Sequence, residues 1–128
     1  MSVARFKTPS RPPSSRPEIY ELSVKLSREV ESVVQRITSE ERFFLRDQLD
    51  RKSTTVPQLI QQGLRCDSLV ERRAVYANAR RVAQDCLAVL DALGARNTVE
   101  PAALTEAQAS ARALIEALGP LTVPPPLP

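Results

Sequence analysis

The side chains best placed for chemistry in this 128-residue chain are cations. Arg73 and Arg80 lie seven residues apart, which puts them on one face of a helix, with Arg72 and Arg81 beside them. Upstream, Arg42 and Arg46 form an i,i+4 pair, followed by Arg51 and Lys52. Cations so arranged suit the phosphates of a polyanion and carry no means of reading its bases. Arg46, Arg51, Lys52, Arg72, Arg73, Arg80 and Arg81 are the candidate phosphate contacts. Single-strand recognition would add stacking aromatics, but Tyr20, Phe43, Phe44 and Tyr76 read as buried residues. The pattern argues for backbone contacts.

Catalytic equipment is lacking. The chain has no His, which removes the commonest general base and the commonest metal ligand. Cys66 and Cys86 have no CxxC or Cys/His spacing, which argues against zinc. Cys86 falls on an apolar stripe as a small buried hydrophobe, and Cys66 falls in a turn. Glu40 and Glu41 resemble paired carboxylates, yet a helix start explains both through capping and the macrodipole. With three Gly there is no P-loop and no GxGxxG. The reading is a non-enzymatic protein that needs no cofactor or metal.

Those cations must be positioned by helices. Apolar residues make up 42% and aromatics only 4%, with Ala, Leu and Val dominating, which disfavours an all-β fold. Ile19, Leu22, Leu26, Val30, Val33 and Ile37 form one helical stripe, entered through Pro17. A second helix should begin near Thr38, where Thr38-Ser39-Glu40-Glu41 has the form of a capping box. It carries Leu45, Leu49, Ser53, Val56, Ile60 and Leu64. Pro57 lies inside it, predicting a kink or two shorter helices. A third helix opens on Ser68-Leu69-Val70-Glu71, with Leu69, Tyr76, Ala79, Ala83, Cys86, Leu90 and Leu93 as its stripe and Gly94 as its stop. A fourth carries Leu104, Ala107, Ala111, Leu114 and Leu118 and ends at Gly119-Pro120.

Four such helices with short turns predict an all-α fold, an up-down-up-down antiparallel four-helix bundle over residues 18–119. Residues 1–17 read as a flexible basic Pro/Ser/Arg-rich arm and 120–128 as a proline-rich tail, so both termini are expected to be disordered. Val75, Val82 and Val89 repeat every seven residues beside the third stripe, while Val24 and Val34 widen the first. So broad an apolar sector reads as a subunit interface between copies of the chain, or as a wider core stripe.

Charge is unevenly spread along the chain. Residues 1–17 hold Arg5, Lys7, Arg11 and Arg16 with no acid, and residues 42–81 hold nine cations against Asp47, Asp50, Asp67 and Glu71. The segments 18–41 and 82–128 are acidic, leaving a net +3. Such asymmetry suits a polyanion partner, or acidic and basic helices that pair with each other. No apolar run approaches the roughly 20 residues of a membrane span. No secretory h-region is visible, and two free thiols suit a reducing cytoplasm.

At the second helix the pattern becomes specific. Glu41-Arg42-Phe43, Leu45, Gln48-Leu49, Arg51, Ser53, Val56-Pro57, Ile60 and Gly63 resemble the signature of the bacterial four-helix-bundle family encoded in intervening sequences of large-subunit ribosomal RNA genes. The resemblance covers residues 19 to 118. The family's usual Asn-Ile-Ala-Glu-Gly is Leu59-Ile60-Gln61-Gln62-Gly63 here, and its Gly-Ser on the third helix is Asn78-Ala79. Tyr76-Ala77-Asn78 is instead similar to the accessory variability determinant of diversity-generating retroelements. These resemblances imply a homopentameric, non-enzymatic bundle, and for the retroelement branch a partnership with RNA and a reverse transcriptase. The expectation is a homo-oligomeric, RNA-binding scaffold. The alternative is a protein-binding assembly module whose arm or proline-rich tail docks on a partner.

Overall fold

The computed structural model describes residues 16–37, 40–96 and 99–123. Residues 1–15, the capping pair Thr38-Ser39 and the tail beyond Val123 lie outside the described residues, while Arg16 and Pro17, read as the end of the arm, open the first helix. Four helices follow one another: α1 (Arg16–Gln35), α2 (Phe43–Arg65), α3 (Leu69–Ala95) and α4 (Pro101–Thr122). A 3-10 turn, Glu40–Arg42, leads into α2.

Each helix packs on its neighbours in sequence, and α1 closes the ring on α4. Contacts across the helix pairs step in opposite directions, as antiparallel packing requires. Lys52 of α2 reaches Asp85 of α3, while Gly63, later in α2, meets Tyr76, earlier in α3. Gly94 of α3 meets Leu104 of α4, and Arg80 reaches back to Ile115. The all-α four-helix bundle therefore stands as expected. One end of it carries the start of α1 and α3 and the finish of α2 and α4.

The core is built from the periodic positions: Leu26, Val30 and Val33 of α1, Leu49, Val56 and Ile60 of α2, Tyr76, Cys86 and Leu90 of α3, Leu114 and Leu118 of α4. Ser23, Ser53 and Ser110 are buried with them, and each hydroxyl is satisfied. Ser23 Oγ donates to the Tyr20 carbonyl at 2.6 Å and Ser53 Oγ to the Asp50 carbonyl at 3.1 Å. Ser110 Oγ crosses from α4 to donate to Glu29 of α1. A buried hydroxyl is cheap only when bonded in this way.

Several expected boundaries shift. The α-helical part of α2 starts at Phe43, after the 3-10 turn, and its N-cap Arg42 makes no side-chain cap bond. A guanidinium has no acceptor to offer the free N–H groups there. Pro57 sits inside an unbroken α2, which removes the two-helix alternative. In the turn before it, Thr54 and Thr55 hydroxyls donate to the Arg51 carbonyl at 2.9 and 2.8 Å, the back-bonding that bends helices. Gly94 does not stop α3, which continues to Ala95. Gly119-Pro120 does not stop α4, which runs to Thr122. A proline in the last turn forfeits one donor and crowds one carbonyl, that of Glu116, with only two helical residues left to follow, and Thr122 Oγ1 donates to the Gly119 carbonyl at 2.8 Å. The expected Ser68 cap is present, its hydroxyl accepting the Glu71 N–H at 3.3 Å.

Two apolar placements differ as well. Leu69, assigned to the third stripe, is 60% exposed, because it is the first residue of α3 and projects past the end of the core. Phe44, expected to be buried, is 70% exposed at the opposite end, one residue into α2. Periodicity places a residue on a stripe, but only the length of the neighbouring helices decides whether anything covers it.

Candidate nucleic-acid interface

The seven candidate cations do not form one patch. With Lys52 level with Asp85, Arg46 lies level with the far half of α3, about 27 Å of helix axis from Arg73 at 1.5 Å per residue. Arg46 stacks over the Phe43 ring at 4.4 Å and lies 3.9 Å from Asp47. Arg51 is exposed and has no carboxylate within ion-pair distance among the described residues.

Two of the seven are committed to the fold. Lys52 Nζ pairs with Asp85 at 3.3 Å, joining α2 to α3. Arg72 reaches over the three-residue turn 66–68 and spends its guanidinium on α2. Its Nε donates to the Gly63 carbonyl at 3.1 Å and its Nη2 to the Cys66 carbonyl. The last carbonyls of a helix lack partners within it, and a cation is the natural group to take them. Arg72 is thus a helix cap, a role its position four residues after Ser68 gives it.

Arg73, Arg80 and Arg81 do occupy one half of α3. Arg73 lines a cavity of about 320 Å³ with Tyr76, Pro120, Leu121 and Val123. Arg80, half-buried as a residue, donates Nε to the Ile115 carbonyl at 3.1 Å, which ties α3 to α4. Arg81 is exposed, one Nη held by Asn78 Oδ1 at 2.5 Å. None of the three pairs with a described carboxylate. Arg65, exposed in the last turn of α2, stands at the same end of the bundle. It lies seven residues before Arg72, but the turn 66–68 separates the two, so no single helix face joins them.

The valine repeat is graded. Val89 belongs to the core of its own protomer, Val82 packs partly against that core, and Val75 is half-exposed. Exposed apolar surface on this side instead gathers at the start of α3 and the end of α4, in Leu69, Val70 and Val123. Cys86 is buried, and burial pushes its thiol up to about 12, against a smaller downward pull from Lys52. Among the described residues no group of acids and cysteines could hold a metal, and no helix is long and apolar enough to cross a membrane.

A bundle of four antiparallel helices whose interior is given over to packing is a member of the small all-helical bundle class. The chain belongs to the 23S rRNA-intervening sequence protein family, whose model matches residues 16–119, from the start of α1 to the last turn of α4. No curated protein and no solved structure matches it.

Proposed function

We propose that the protein is a non-enzymatic, homo-oligomeric scaffold that binds RNA through phosphate contacts from Arg73, Arg80 and Arg81, with Arg51 and Arg65 adding to the field. The observation that carries this reading is the shortage of internal charge pairing. Among the described residues, Lys52 is the only cation in the basic middle of the chain that pairs with a carboxylate on another helix, Asp85. Pairing of acidic and basic helices within one protomer therefore leaves the basic excess unspent, and a polyanion is the partner that would use it. The exposed apolar residues Leu69, Val70 and Val123 support self-association at the end of the bundle. Pentameric assembly and a reverse transcriptase partner rest on family resemblance. The Tyr of the Tyr76-Ala77-Asn78 similarity is a core residue here, and only Ala77 of the three is exposed.

The test is retention of a structured RNA fragment as a function of salt. Changing Arg73 and Arg81 together to Glu spares the Arg72 and Arg80 bonds to main chain. It should weaken binding at least tenfold at 0.1 M salt and lower the salt slope by about 2, roughly one per lost phosphate contact. Unchanged retention would refute the RNA reading. Light scattering behind a sizing column should return a multiple of 14.2 kDa, and a monomer at micromolar concentration would refute the assembly.

A further inference from the structure

Between α1 and α4 runs an open groove of about 950 Å³. Its apolar floor is made by Leu22, Val24, Ala113 and Ala117. The Glu29–Ser110 hydrogen bond sets the register of the two antiparallel helices, which brings Glu21 level with Glu116 and Ala117 near the start of α1. Glu18 lines that same mouth, and Lys25 and Arg28 lie further in. Neither Glu21 nor Glu116 forms an ion pair with a described residue. The groove therefore has an acidic mouth, an apolar floor and a basic far end, a surface that repels a polyanion at its entrance.

We infer that the chain's own residues 1–15 dock at this mouth, Arg11 and Lys7 meeting Glu21 and Glu116 and Phe6 covering the floor. Charge selects the occupant, because the segment holds Arg5, Lys7 and Arg11 and no acid. Tethering makes it the nearest candidate, because the segment joins α1 at Arg16, directly beside the mouth. A tethered segment meets its site at an effective concentration in the millimolar range, so a few weak contacts suffice. Reach is ample: the five residues from Arg16 to Arg11 span up to about 17 Å, and Glu21 lies only about 8 Å along α1. Lys25 and Arg28 repel a basic segment from the far end and hold it at the mouth.

The experiment uses the full chain with labelled methyl groups and a soluble paramagnetic probe that relaxes whatever solvent reaches. In the wild type the methyls of Leu22, Val24 and Ala113 should be shielded. Arg5→Glu/Lys7→Glu/Arg11→Glu, and separately Glu21→Lys/Glu116→Lys, should each raise their relaxation at least twofold. The core methyls of Leu26 and Leu114 serve as the folded control. Unchanged relaxation in both variants would overturn the inference. So would return of shielding when labelled arm-reversed protein is co-assembled with unlabelled wild type, since a neighbouring copy's segment would then be the occupant.

Discussion

The sharpest test of the packing is Gly63→Ala. Gly63 is helical and buried in the last turns of α2 and needs no unusual backbone angle. A Cβ built there would lie 2.3 Å from Cε1 of Tyr76, 2.8 Å from Cδ1 and 3.0 Å from Cζ. Tyr76 is 2% exposed, so relief requires either its ring to shift towards the cavity it borders or α2 and α3 to part by about 1 Å. Overpacking of this kind costs about 1–3 kcal/mol, and the severity of the clash places it at the upper end. Alanine's better helix propensity returns just under about 1 kcal/mol. The net expectation is a loss of about 2 kcal/mol, read as a lower urea midpoint by circular dichroism at unchanged slope. In a Tyr76→Leu background the obstructing ring edge is gone. There Gly63→Ala should become neutral or stabilising, giving a coupling energy of about 2 kcal/mol. Stabilisation of the wild type by Gly63→Ala, as at an ordinary exposed helical glycine, would refute the close approach of the two helices.

Gly94→Ala is the contrasting case. Its Cβ would meet Leu104 Cδ2 at 2.9 Å, the far end of a flexible side chain, so propensity and crowding should cancel to within about 0.5 kcal/mol in the same urea assay. Arg72→Met should cost about 1.5–3 kcal/mol, because two main-chain carbonyls lose a charged donor, while RNA retention at fixed folded concentration stays within twofold. Cys86 should resist alkylation at pH 8 while Cys66 reacts, and denaturant should expose a second thiol. The folded Cys86 thiol keeps its proton to about 12 whereas the unfolded one releases it near 9.0, so its contribution is full below pH 9 and is lost as pH rises towards 12. Denaturation of wild type against Cys86→Ala should show their stability gap shrinking by about 2 kcal/mol between pH 8 and 10.5; a constant gap would contradict the burial.

The bundle was legible because helical periodicity is a local property. Leu26, Val30 and Val33, or Leu114 and Leu118, declare their face through spacing alone, and a three-residue turn such as 66–68 leaves only an antiparallel return. What periodicity cannot supply is the height of one helix against the next. Leu69 satisfies helical spacing and Phe44 is a bulky apolar residue beside a stripe, yet each lies in the first turn of its helix, past the reach of its neighbours, and both face water. Gly63 shows the converse. Its place near the end of α2 reads as a terminator, but it is the distance between α2 and α3 at Tyr76 that requires a glycine, and no single helix records that distance.

The same limit divides the cations. Spacing grouped Arg72 with Arg73 because they are adjacent, yet adjacent helical residues point about 100° apart, and here that turn separates a cap from a surface charge. One signal could have distinguished them. Any side chain on the inner face of the first turn after a three-residue loop lies beside the last carbonyls of the preceding helix, and those carbonyls recruit a donor wherever one is in reach. Arg72 meets that condition, one helical turn after Ser68. Lys52 likewise becomes an ion-pair residue only once the α2–α3 register sets Asp85 opposite it. Among the cations of residues 42–81, setting aside Lys52, Arg72 and the Asp47-paired Arg46 leaves Arg42, Arg51, Arg65, Arg73, Arg80 and Arg81 with no described carboxylate partner. That set, rather than the whole arginine content, fixes the electrostatic field a polyanion would meet.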